Sequence, residues 1–174
     1  IRIQFEYDYK TGRVLDLSLH PFNRNDKRDA ASKVSEIAPH DLLIRDLGYI
    51  SLDMLYQIHN HYQAYFLNRL SVNTTVYQWK DNAYQPLQFP EIERYLHTHN
   101  CAATELLVYI GKTLETMIPV RMRIERIPQK EREKRLRTAY KTAKKKGRNL
   151  SDVYKARVGL NIFITNIADS LYPT

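Results

Sequence analysis

Two hydrophobic periods alternate along the first part of the chain, and this constrains the fold more than any other feature. Ile1, Ile3, Phe5, Tyr7 and Tyr9 are interleaved with Arg2, Gln4, Glu6 and Asp8, the two-residue period of a half-buried strand. Lys10-Thr11-Gly12 reads as a turn. Leu15, Leu17 and Leu19 then alternate with Asp16 and Ser18, so the two strands form a hairpin. Residues 21–25 read as loop. Asp26 or a neighbour caps a short helix over 28–38, whose inner stripe is Ala30, Ala31, Val34 and Ile37 and which Pro39 stops. Asp41-Leu42-Leu43-Ile44-Arg45-Asp46 is a short apolar run of the kind found in strands buried on both faces. Ser51 caps the next helix, with Leu52, Leu55 and Ile58 on one side, and residues 64–70 read as another strand. The order strand, strand, helix, strand, helix, strand predicts a mixed α/β layer structure.

From about Ser71 the texture changes. Residues 74–79, 105–110 and 118–127 read as strands, the last with Val120, Met122 and Ile124 alternating with Arg121, Arg123 and Glu125, while 90–97 reads as a short helix. Residues 129–148 are the most biased stretch. Pro128 and Gly147 punctuate it as a helix, and it holds ten basic residues against Glu131 and Glu133, an excess equal to the net charge of +8 of the whole chain. The basicity is therefore concentrated in one segment, which favours an acidic partner such as nucleic acid. A final apolar strand covers 159–167.

Composition closes off several classes. Cys101 is the only cysteine, which excludes an intrachain disulfide or a Cys-cluster zinc site and suits a reducing, cytoplasmic setting. The N-terminal residues carry no secretory pattern, and no apolar run is long enough to span a bilayer, so no membrane role is expected. The chain begins inside a strand-like stretch without an initiator Met, as a fragment of a longer protein would.

Asp46 is the sharpest chemical candidate. A carboxylate at the downstream end of a buried strand sits where α/β sheets place ligands, and carboxylates suit Mg²⁺. The plain alternative is a loop residue opening a turn with Gly48. Asp8 and Asp16 fall on polar strand positions with no reason to reach Asp46. His59/His61 and His97/His99 with Cys101 have metal-like spacing but lack a four-ligand framework, and the Asn73-Thr74-Thr75 sequon has no secretory context. The basic helix suits phosphate tracking, against the alternative of a solvated face; acidic residues able to form i,i+4 pairs are nearly absent from it. Arg69, at a strand end near Asp46, suits phosphate contact, or is a surface cation.

Residues 41–51, Asp-Leu-Leu-Ile-Arg-Asp-Leu-Gly-Tyr-Ile-Ser, followed by Tyr65-Phe66-Leu67-Asn68-Arg69-Leu70, resemble the second-aspartate region of bacterial insertion-sequence DDE transposases of the subgroup with a β-rich insertion between the second Asp and the Glu. Residues 120–128 and the basic run through Lys144-Lys145-Lys146-Gly147-Arg148 are similar to the end of that insertion, and Asn161-Ile162-Phe163-Ile164-Thr165-Asn166 to the strand re-entering the core. The resemblance implies a ribonuclease H-like mixed sheet with flanking helices. Residues 1–70 and 159–174 would belong to the catalytic core, and 71–158 to a mostly β insertion ending in the basic helix.

The resemblance also makes Asp46 the second metal-binding carboxylate. The first Asp is expected before Ile1, and the Glu, in a Y-x-x-R-x-x-x-E-type helix, after Thr174, so this piece alone should be inactive. In the complete enzyme Mg²⁺ or Mn²⁺ would activate water and then a 3′-hydroxyl for cut-and-paste cleavage and transfer of DNA. Its partners would be transposon ends and target DNA, and synapsis implies a dimer. Arg69, Arg121, Arg123, Lys141, Lys144, Lys145 and Arg148 are the candidate DNA contacts. Relatives often carry Trp just before the Asn-Ile-Phe-Ile-type strand, where an aromatic stacks a displaced base. Here that position is Leu160, leaving Trp79 or a nearby Tyr to take the role, or the role absent. The alternatives are a non-enzymatic nucleic-acid-binding module or a decayed transposase remnant.

Overall fold

The computed structural model describes residues 2–20, 37–45, 47 and 51–171. The expected hairpin is present as β1 (Arg2–Tyr7) and β2 (Val14–His20), but its strands are not half-buried as the alternation predicts, since Ile3, Leu15, Leu17 and Leu19 are all exposed. β3 (Leu42–Arg45), α1 (Leu52–Asn60) and β4 (Tyr65–Arg69) follow. Then come β5 (Tyr77–Lys80), β6 (Ala83–Pro86), α2 (Phe89–Thr98), β7 (Ala103–Ile110) and β8 (Ile118–Arg126). The chain closes with α3 (Gln129–Lys145), α4 (Asp152–Val158) and β9 (Leu160–Thr165). Of the helix expected over 28–38, all but the last two residues lie outside the described residues, as do Asp26, Asp46 and Gly48.

Seven strands form one sheet in the order β3-β4-β9-β8-β7-β5-β6. Only the β3–β4 pair is parallel; every other neighbouring pair is antiparallel. β9 is the join. It pairs Phe163 with Arg69 on one side and with Arg123 on the other, so strands that precede and follow residue 71 share a single sheet. This mixed α/β arrangement, a large mixed sheet with flanking helices, is compatible with the ribonuclease H-like fold that the resemblance implies.

Periodicity explains which face is covered. In β8 the apolar members Val120, Met122 and Ile124 are buried, while Arg121 and Arg123 point the other way. Met54, Leu55 and Ile58 of α1 and Phe89 and Leu96 of α2 join the same core as Leu43, Phe66, Val108 and Ile164. Removing a side chain of this size from water contributes about 1.5–3 kcal/mol. Ser51 caps α1 by accepting from the Met54 amide, as its residue type predicts.

One reading of the strand at 42–45 is corrected. It is not buried on both faces: Leu43 packs in the core, but Leu42 is 47 % and Ile44 68 % exposed. Only the Leu43 side of the run joins the core that α1 also enters. Two elements went unread in the sequence, β6 and α4. β6 forms a hairpin with β5 through Asp81 and Asn82, both with positive φ (53° and 57°), a conformation that Asp and Asn tolerate in tight turns. α4 is a seven-residue helix opened by Ser151, which caps the Tyr154 amide, and followed by Gly159.

Two side-chain amides, Asn68 buried and Asn166 half-buried, fix the register near the parallel pair. Asn68, 3 % exposed, accepts the Arg45 amide through Oδ1 at 3.1 Å and so secures the end of β3. Asn166, just past β9, accepts the Phe66 amide at 2.8 Å and donates to the Ala64 carbonyl at 2.9 Å. With its oxygen and nitrogen assigned by those two bonds, its Nδ2 also faces His59 Nδ1 at 3.1 Å, which requires an unprotonated ring nitrogen as acceptor. Asn166→Ala therefore strips an amide and a carbonyl of their partners. We expect a loss of about 2–3 kcal/mol, read as a lower urea midpoint at unchanged m-value.

Burial holds the His59 imidazole below its ordinary value of 6.5. Below pH 6.5 the unfolded chain then binds a proton that the folded chain refuses. The stability linked to His59 is complete above that window and is lost as pH falls through it. Denaturation midpoints measured from pH 7.5 down to 5 should decline more steeply in the parent than in His59→Gln; identical slopes would refute the linkage.

Candidate nucleic-acid interface

The parallel strands β3 and β4 end on the same side of the sheet, and the β9 backbone begins there. A groove of about 530 Å³ lies at this end. Leu47, the residue after Asp46, lines it, as do Arg69 at the last position of β4, Ser71 beyond it, and Tyr154 of α4. Its other wall is α3, through Lys134, Arg135 and Thr138. The floor is apolar, made by Leu70, Val158 and Leu160.

The groove is strongly cationic for a geometric reason. Among the described residues Glu131 is the one carboxylate lining it, and Glu131 is already engaged by Arg135 Nε at 3.2 Å. Arg69 and Lys134 have no carboxylate partner among the described residues and are exposed. Arg157 is different in kind. It is 4 % exposed, its guanidinium donates to the Ser71 carbonyl at 2.7 Å and to the Thr74 carbonyl, and it stacks 4.4 Å over the Phe89 ring. Burial lowers its pKa to about 10, so it remains a cation near neutral pH. Its Nε has no partner among the described residues. By gripping residues 71–74 from α4, Arg157 fixes the loop that leaves Arg69 and forms the rim of the groove.

α3 is anchored by two arginines of its inner side. Arg132 pairs with Glu93 of α2 at 2.8 Å, and Arg135 reaches Asn161 Oδ1 at 3.2 Å and the Leu160 carbonyl. Gly159 allows the first of these. A Cβ there would lie 2.9 Å from Arg132 Nε and 3.2 Å from Glu93 Oε1, so any side chain would push the pair apart. Lys141, Lys144, Lys145 and Arg148 all point to solvent, with no carboxylate partner among the described residues.

Arg121 and Arg123 lie elsewhere. They occupy the sheet face opposite the core, beside an apolar cleft of about 320 Å³ lined by Leu67, Phe163 and Ile167. Arg69, Phe163 and Arg123 stand in register across β4, β9 and β8. Arg121 is paired with Glu105 at 2.6 Å and with Asp169 at 3.1 Å, and its side chain is only 12 % exposed; Arg123 pairs with Glu125 at 2.8 Å. Asp8 is occupied by its own turn. Hydrogen bonds from the Thr11 hydroxyl and the Lys10 amide hold its carboxyl below the ordinary range. His99 turns its ring back onto Tyr95, and its carbonyl accepts from Cys101. Among the described residues no three His, Cys, Asp or Glu side chains come together as a metal site. Trp79 sits in β5, next to the edge of the sheet far from β3, in an edge-to-face stack with Tyr84. It does not line the groove, whereas Tyr154 does.

Comparison with known proteins bears on what such a groove is for. The chain is 32% identical over 187 residues to the transposase for insertion sequence element IS231B of Bacillus thuringiensis subsp. berliner, covering 99% of this chain and 38% of the relative. It is 33% identical to the IS231D transposase and 32% identical to the IS231E transposase, both of Bacillus thuringiensis subsp. finitimus, covering 99% and 95% of the chain. The chain is related to insertion-sequence transposases. It spans a little over a third of the length of those transposase relatives. No family model and no solved structure matches it. No helix among the described residues is long and apolar enough to cross a membrane.

Of the candidate DNA contacts named from the sequence, Arg69 lines the groove of this transposase relative, while Lys141, Lys144, Lys145 and Arg148 of the distal basic segment lie outside its lining. Sequence reasoning missed Lys134, Thr138, Tyr154 and Arg157. Lys134 and Thr138 were legible as a helix face once a neighbouring wall was known; Arg157 gave no signal, because nothing local marks a helix arginine as buried. Arg157→Ala should leave the Ser71 and Thr74 carbonyls unmatched and a void beside Phe89, costing roughly 3 kcal/mol of unfolding free energy in a urea titration. Loss of less than about 1 kcal/mol, the scale of a surface contact, would remove the clamp from the account.

Proposed function

We propose that the chain is part of a DNA transposase that cuts and rejoins DNA strands, with its substrate strand lying in the cationic groove at the β3 and β4 ends. One observation carries this reading: the groove lies where open α/β sheets place ligands, and Leu47, which follows Asp46 in the sequence, lines it. In this reading Asp46 is a metal-binding carboxylate of a DDE set, Arg69 holds a phosphate, and Lys141, Lys144, Lys145 and Arg148 contact DNA beyond the groove. Arg121 and Arg123 contact DNA only where it reaches the outer sheet face and competes with their carboxylates. Tyr154 takes the stacking position that Leu160 cannot fill.

The metal reading rests on donors that the described residues do not themselves provide, since Glu131 is tied to Arg135. The remaining carboxylates are assigned to other parts of a longer protein, and the 174-residue chain alone is inactive. Bound Mg²⁺ or Mn²⁺ would supply activation of the attacking oxygen and stabilisation of the leaving one. What this chain's own residues contribute is position: Arg157 holds the groove rim, Asn68 secures the end of β3, and α3 presents cations to the backbone. The division into a core of residues 1–70 and 159–174 and an insertion of 71–158 belongs to the same proposal. So do a dimer at synapsis and action in the cytoplasm on transposon ends and target DNA.

The test is strand cleavage of an end-bearing duplex by the longer protein that carries this chain, with and without Mg²⁺. Cleavage should require the metal and fall to background in Asp46→Asn, while the parent and variant bind DNA equally in EDTA. Metal-independent binding without cleavage in either protein would instead favour a nucleic-acid-binding module or a decayed remnant.

A further inference from the structure

The exposed face of α3 carries an ordered row of charges. Lys130, Lys134, Arg137, Lys141 and Lys144 recur at intervals of four and three residues, the spacing that keeps side chains on one helix face, and Lys145 flanks the last of them. All six are solvent-exposed, and none has a carboxylate partner among the described residues. Exposed lysines on ordinary helices are commonly matched by Glu or Asp at i,i+4; here Glu131 and Glu133 are held by Arg135 and Gln129. The opposite side of the helix is fixed to the protein by Arg132 and Arg135, so the row cannot swing away. Lys134 belongs both to the row and to the groove wall.

We infer that this row is a sequence-indifferent track for the phosphate backbone of duplex DNA, leading out of the groove. The inference rests on the DNA reading above and adds what kind of DNA contact this element makes. From Lys130 to Lys144 the row is about 21 Å long at 1.5 Å per residue. One strand of a duplex rises about 3.4 Å per phosphate, so roughly six phosphates pass along that length. The chemistry is that of charge alone. The row contains no Asn or Gln to read adenine and a single arginine, and base-edge recognition depends on such side chains. Single-strand binders interleave aromatic rings with cations, but Tyr140, the only aromatic of α3, stands to one side of the row. An anionic membrane surface would need apolar side chains flanking the cations. Here Leu136 and Ala143 turn toward the protein body, Ala143 being 8 % exposed.

The measurement is equilibrium binding of the 174-residue chain, in EDTA, to two 30-base-pair duplexes of unrelated sequence across a salt series. A single strand of equal length and vesicles rich in anionic phospholipid serve as competitors. The parent is compared with the triple variant Lys141→Gln, Lys144→Gln, Lys145→Gln, and with Lys155→Gln as a control for loss of a lysine outside the row. We expect the two duplexes to bind alike. The triple variant should lose up to about 2.7 from the log–log salt slope, at about 0.9 per phosphate contact, and at least tenfold in affinity at low salt, with Lys155→Gln unchanged. An unaltered slope overturns the inference, as does a tenfold preference for one duplex, or stronger competition by the single strand or the vesicles. Because no metal is present, a lowered slope stands even if Asp46→Asn has no effect on cleavage, and metal-dependent cleavage with an unaltered slope sinks the track alone.

Discussion

The placement of β9 between β4 and β8 is the constraint on which the rest of the structure depends. Its backbone satisfies hydrogen bonds of a strand that ended about ninety residues earlier and of the strand that just preceded the basic helix. Unpaired backbone groups in a sheet interior are costly, so this double pairing holds two differently textured halves of the chain in one register. Asn166 extends the effect past the end of the strand, lending side-chain partners to Phe66 and Ala64 where the ladder stops. With β9 in place, the end of β4 and the start of β9 face the same groove, and α3 has a fixed surface to lie against.

The groove then follows from how charges are divided between structure and solvent. Arg132, Arg135 and Arg157 spend their donors inside the molecule, on Glu93, on the β9 start and on the loop after Arg69. A guanidinium suits this work because it remains charged when buried and offers several donors in one plane. The lysines of α3 do the opposite. They are flexible, strongly hydrated and unpaired among the described residues, which leaves them available to an external polyanion. One helix thereby carries anchoring arginines on its inner side and free cations on its outer side, a separation that composition alone hides behind a single net charge.

Most element types were legible because they depend on local periodicity. The hairpin, α1 with its Ser51 cap, the half-buried pattern of β8 and the basic helix all express a two- or four-residue rhythm fixed by side-chain direction. β6 and α4 escaped because they are short, at four and seven residues, and their signals lay in single turn and cap residues rather than in a rhythm. The strand at 42–45 shows the converse. Its apolar run announced a strand correctly, yet how many of its faces are covered depends on what lies above and below it, and Ile44 is exposed.

The site divides along the same line. Sequence by itself determined that the charge is concentrated in one helix, that Arg69 ends a strand, and that the ordered motifs resemble those of insertion-sequence transposases; each is a matter of residue type and spacing. Tertiary structure alone decided that Arg69, Lys134, Tyr154 and the Leu47 position share one groove. It also decided that Arg121 is engaged by Glu105 and Asp169 on the other sheet face, and that Arg157 is buried beneath the groove rim. The reason is physical: periodicity is set within a few residues, whereas burial, ion pairing and the meeting of distant side chains are set by strands that find one another across the whole chain.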